Sequence, residues 1–98
     1  MSSYQFELPA YFADDAFEIE AKGYFGPLLI RSGARTYSVS FYDEARLRQE
    51  TSDALAAGPC FAEPNLVVLK SVTKELIEAA IEHLASKSFR DLGADISQ

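Results

Sequence analysis

One cysteine, one histidine and nine basic residues among 98 leave few chemistries open to this chain. Cys60 alone excludes an internal disulfide, and the cytoplasm is the compartment this favours. A lone His and a lone Cys do not make a zinc site, and no carboxylate spacing matches a calcium loop. No metal or cofactor is therefore expected. Fifteen acidic residues leave a net charge of −6. That argues against a nucleic-acid or anionic-membrane surface, since both depend on clustered Lys and Arg. Apolar runs are short, as in Leu66-Val67-Val68-Leu69, so no membrane span is expected. Met1–Glu7 has no basic region followed by an apolar stretch, so no secretory signal is expected. The pair Gly23 and Gly26 lies between two expected strands, whereas a phosphate-binding loop should open a helix.

What is present is a core. Hydrophobic residues make up 48% of the chain, with seven Phe. A single domain of this length, residues 1–98, should bury roughly 60–70% of its unfolded surface. There is no repeat, low-complexity segment or internal linker. Residues 1–16 are the least legible. Tyr4-Gln5-Phe6-Glu7-Leu8 alternates weakly as a short strand would, Pro9 stops it, and Asp14-Asp15 reads as a turn. Residues 94–98 are expected to fray.

Residues 28–42 carry the clearest pattern. A two-residue loop at Gly33-Ala34 pairs Ser32 with Arg35. It then sets Ile30 opposite Tyr37 and Leu28 opposite Val39, gathering Leu28, Ile30, Tyr37, Val39 and Phe41 on one face. A loop at Ser32-Gly33 would set Ile30 against Arg35 and mix the faces, so the first register is favoured. Phe17-Glu18-Ile19-Glu20-Ala21-Lys22 alternates strictly and reads as a third, half-buried strand. Tyr24-Phe25-Gly26-Pro27 reads as the turn joining it to the hairpin.

Helices follow. Asp43 is placed to cap one through about Ala57, closed by Gly58-Pro59, with Tyr42 and Leu47 as a hydrophobic staple. Its apolar stripe is thin, which places it at the periphery. Thr73 caps a second, with Val72 and Ile77 as its staple and Leu76, Ile77, Ala80, Ile81 and Leu84 as a broad stripe. Between them Leu66–Leu69, apolar without alternation, reads as a strand covered on both faces or central in the sheet. The expected fold is α+β in two layers. A mixed, mostly antiparallel sheet, a three-stranded meander plus a later strand, carries two helices on one face in the order β(β)ββ-α-β-α.

Candidate chemistry is sparse. His83 lies at the border of the second helix's stripe, as a general base at a cleft edge or, more simply, a boundary residue. Cys60 follows a helix C-terminus, where the dipole disfavours a thiolate, so a small buried apolar residue is the preferred reading. No residue is assigned a catalytic role. Arg31 and Arg35 near the hairpin tip could clamp an anion, although Arg31 could equally lie diagonal to Glu20 and pair with it. Asp14, Asp15, Glu18 and Glu20 form an acidic run, by default a solvated face.

The outer sheet face mixes aromatics with adaptable polar groups, a blend common at contact surfaces. The expected function is a small, non-enzymatic cytoplasmic domain that self-associates as a homo-oligomer or binds a protein partner. Tyr24, Leu29, Arg31, Ser38 and Tyr42 are the candidate contact residues. One alternative is an acidic inhibitor or immunity-type protein facing a basic partner through Asp14, Asp15, Glu18 and Glu20. Another is a small enzyme or ligand-binding domain with its site in a dimer cleft, using Cys60 and His83 or the two arginines.

Overall fold

The computed structural model describes residues 4–93. The chain runs β1 (Gln5–Phe6), α1 (Tyr11–Asp14), α2 (Ala16–Lys22), β2 (Tyr24–Ser32), β3 (Arg35–Asp43), α3 (Glu44–Ala57), β4 (Leu66–Leu69) and α4 (Lys74–Ser86). The strands form one sheet in the order β1-β2-β3-β4. Its first two pairings are antiparallel and the β3–β4 pairing is parallel. The α+β class and the mixed, mostly antiparallel sheet agree with the pattern in the sequence.

The hairpin has the register derived from its loop. Ser32 faces Arg35, Ile30 faces Tyr37 and Leu28 faces Val39, with Gly33 at φ 63° in the turn. Phe25 and Phe41 continue the same apolar face. Onto it pack Ile77, Ile81, Leu84 and Ala85 of α4, Phe12 of α1, Ile19 of α2, and Val72 and Phe89 from the segments flanking α4. Ile30, Val39, Phe41, Val72, Ile77 and Ile81 are fully buried. Both helix caps form as expected. The Asp43 carboxylate accepts from the Arg46 amide at 2.7 Å, and the Thr73 hydroxyl accepts from the Leu76 amide at 3.3 Å. As its thin stripe implied, α3 buries no residue. Where α3 was expected to share the apolar face with α4, the second cover comes from α1 and α2.

Three further expectations are overturned. Residues 17–22 form a helix, not a strand. Only Ile19 of this segment is buried, while Phe17 is 82% exposed. A strand would have turned Phe17 and Ala21 inward with Ile19, whereas in the helix both are exposed and Ile19 alone meets the core. Gly23 ends α2 in the left-handed conformation (φ 72°), its amide donating back to Ile19 and Glu20. A basic residue in the last turn followed by Gly is the helix-stop signal that the strict alternation concealed. The third strand of the meander is instead β1, which the weak alternation at residues 4–8 had suggested.

Tyr24–Pro27 is not a turn but the start of β2, with a register shift between Phe25 and Leu28. That bulge is why Phe25 and Leu28, of opposite parity, share one face. Finally, β4 is an edge strand rather than a central one, and Val68 is 44% exposed. Val67 and Leu69 lean on the core, and the outward residues have only partial cover. The frayed tail expected at 94–98 lies outside the described residues.

Candidate functional site

On the face opposite the core, β2 and β3 bring the five candidate residues together. Tyr24 pairs with Tyr42, Leu29 with Ser38 and Arg31 with Thr36 across the ladder. Their exposures separate them into two groups. Leu29 (53% exposed) and Arg31 stand in solvent and Ser38 is half-buried. Tyr24 is also half-buried, its ring edge-on to Tyr42 with centroids 4.9 Å apart.

Tyr42 departs from its expected role. It is only 5% exposed, and its phenol donates to the Glu63 carboxylate. Burial, then the hydrogen bond to Glu63 and that carboxylate's charge, push the phenol well above the ordinary tyrosine value. Tyr42 therefore holds the surface in place rather than presenting itself to a partner. Nothing local in the sequence signals a contact between positions 42 and 63. Topology makes it, because the chain returns beside β3 after α3.

Asn65 was also missed. It adopts φ 52°, a conformation that asparagine tolerates better than most residues. Its amide nitrogen donates to the carbonyls of Ser38 (3.1 Å) and Gly93 (2.8 Å), and its oxygen accepts from the Gly93 amide at 2.8 Å. The C-terminal segment is thereby tied to the margin of the outer face.

Two grooves flank Pro27 on this side of the molecule. One, of about 840 Å³, runs between the β1–α1 connection and β2, with Tyr11 (54% exposed), Leu29 and Arg31 on its walls. The other, of about 530 Å³, is lined by Tyr24, Ser38, Ser40, Glu63 and Asn65. Ser40 is buried in this otherwise open setting. Pro27 borders both grooves, Leu29 and Arg31 wall the first, and the second sets Ser38, Ser40, Glu63 and Asn65 beside Tyr24 and Pro64. This surface offers hydrogen-bonding groups and apolar area.

The remaining candidates do not converge here. Cys60 is exposed in the α3–β4 connection, contrary to its reading as a buried residue. Tight packing was inferred there from residue type alone, and the connection crosses open surface. His83 is exposed on α4, and neither it nor Cys60 lines these grooves. The diagonal Arg31–Glu20 pairing required a strand at 17–22 and falls with it. Asp14, Glu18 and Glu20 are exposed on α1 and α2, with Asp15 half-buried between them. Among the described residues, no three His, Cys, Asp or Glu side chains are grouped so as to hold a metal ion. Nor is any helix among them long and apolar enough to cross a membrane. No family model, curated protein or solved structure matches the chain.

Proposed function

We propose that this chain is a non-enzymatic, cytoplasmic protein-interaction domain that docks a protein partner on the outer face of β2 and β3. The observation that carries this reading is Leu29. It stands 53% exposed on β2, on the wall of one groove and two residues from Pro27, which borders both. Covering the exposed half of this side chain contributes roughly 1 kcal/mol, about half the value for a full burial. Arg31 supplies directional hydrogen bonds beside it, and Tyr24 a rigid aromatic edge. Leu29→Glu keeps the fold, because the side chain already faces water. The experiment is a quantitative pull-down from host lysate with wild-type and Leu29→Glu baits, followed by hydrogen exchange on the recovered complex. A stoichiometric partner lost with the variant, together with slowed exchange across β2, supports the reading. A partner retained by Leu29→Glu overturns it.

A second reading has one specific observation in its favour. Phe17 is 82% exposed on α2, surrounded in sequence by Asp14, Asp15, Glu18 and Glu20. A basic partner with an apolar pocket fits that surface, as an acidic inhibitor would require. The two readings separate by salt. Binding through the acidic helix weakens steeply with ionic strength, whereas binding centred on Leu29 does not.

A further inference from the structure

We infer that the free edge of β4 is a self-association site, at which a second copy of this chain pairs antiparallel to form a continuous eight-stranded sheet. β4 is the last strand of the sheet, and among the described residues no strand pairs with its far side. Backbone direction follows from one bond. The Ser40 amide donates to the Asn65 carbonyl at 3.1 Å, so Asn65 faces β3. Alternation then turns the amides and carbonyls of Leu66 and Val68 toward the free edge. A row of this kind calls for another strand, and natural edges are blunted by charge, proline, bulges or extreme shortness. The opposite edge is blunted in this way. β1 has two residues, and Pro27 lies within the part of β2 that β1 leaves uncovered. β4 is short and is bounded by Pro64 and Lys70, but Leu66-Val67-Val68-Leu69 itself carries no charge, proline or bulge.

The identity of the occupant follows from self-complementarity. A two-fold axis normal to the sheet keeps each face on its own side, so only residues of the same parity can lie opposite each other. Centred on Val67, the register sets Val67 against its own counterpart and Leu66 against Val68 on either side. Leu66 and Val68 are the residues whose backbone groups point outward, so these become the hydrogen-bonded pairs. Side chains and backbone are thus satisfied by one register. Centring on Val68 instead would put Leu66 against Lys70. For a chain of net charge −6, this uncharged strip is a place where two copies meet without like charges opposed. Four residues of edge pairing make a small interface, so the dimer is expected to be concentration-dependent.

Val68→Pro tests this directly. It removes only an outward-facing amide, so the monomer loses no β3–β4 hydrogen bond. The dimer loses two by symmetry, and its Kd should rise by about ten- to a hundredfold. Sedimentation equilibrium from micromolar to near-millimolar protein should give a monomer–dimer equilibrium for the wild type and a folded monomer for the variant. Should Val68→Pro fail to fold, the exposed-site variant Val68→Lys takes its place. In a Cys60→Ser background, Val67→Cys should oxidise to a covalent dimer, since non-hydrogen-bonded antiparallel pairs bring Cα atoms to about 4.5 Å. A wild type that stays monomeric over the whole range overturns the inference. So does a dimer that tolerates both Val68 substitutions.

Discussion

The Asp43 amide donates to the Gly23 carbonyl at 2.9 Å, and the carboxylate of the same aspartate lies where a Cβ on Gly23 would fall. A β-carbon there would meet Asp43 oxygens at 2.5 and 2.6 Å. One glycine thus ends α2, turns the chain into β2 and leaves room for the cap of α3. Gly23→Ala meets a left-handed φ penalty of about 1 kcal/mol and disturbs a cap worth about another 1 kcal/mol. We expect a loss of about 2–3 kcal/mol in urea unfolding. Asp43→Ala alone should cost about 1 kcal/mol. In the double mutant the two effects should sum to less than their total, because both act on one contact.

Tyr42 supplies a pH dependence whose direction can be worked out. Its phenol is held protonated by burial and by the bond to Glu63, so its folded-state value lies above the unfolded one. The stabilisation is therefore fully present below the unfolded value, about 10, and is lost as pH rises beyond it toward the folded value. Tyr42→Phe removes the hydroxyl and should cost about 1 kcal/mol at neutral pH. The gap between wild type and Tyr42→Phe should stay constant up to pH about 10 and narrow above it. Chemical denaturation at a series of pH values measures that gap directly. A constant gap through the alkaline range would show that the Glu63 contact does not hold the proton.

The elements legible in the sequence are those set by neighbours in the chain. The register of β2 and β3 follows from a two-residue loop, and the starts of α3 and α4 from Asp43 and Thr73, because turns and caps are short-range chemistry. Residues 17–22 failed for a related reason. Six residues fit a period of two as well as a single helical turn and a half, and only the partner face decides between them. Leu66–Leu69 is apolar throughout, yet uniform hydrophobicity does not reveal whether the second side of a strand is another strand or water. At the candidate site, Leu29 and Arg31 were legible from hairpin parity. The burial of Tyr42 was not, since it depends on Glu63 arriving from the far side of α3.

Asn65 should behave as a latch between the sheet margin and the C-terminal segment. Its side chain makes three hydrogen bonds, one to Ser38 and two with Gly93, from a left-handed backbone. Asn65→Gly removes the bonds and relieves the backbone, while Asn65→Ala removes the bonds and strains it. We expect Asn65→Ala to lose about 1 kcal/mol more stability than Asn65→Gly. Both should accelerate amide exchange at Gly93 by native-state hydrogen exchange, leaving β2 unaffected. Equal exchange at Gly93 in all three proteins would show that the segment is held elsewhere.

Phe17 and Ile19 offer the sharpest test of the N-terminal half. On a strand the two would share one face, and truncating either would cost a comparable amount. On α2 they diverge, Ile19 at 7% exposure among Phe12 and the core, Phe17 at 82% in water. Ile19→Ala should therefore cost about 2–4 kcal/mol, as a buried aliphatic truncation does. Phe17→Ser should stay within about 0.5 kcal/mol of wild type. Paired urea titrations with unchanged m-values would establish the asymmetry. Equal losses would return residues 17–22 to the sheet. A neutral Phe17→Ser would also leave that side chain free of any structural duty, so a loss of partner binding on its removal would be a direct measure of contact through α2.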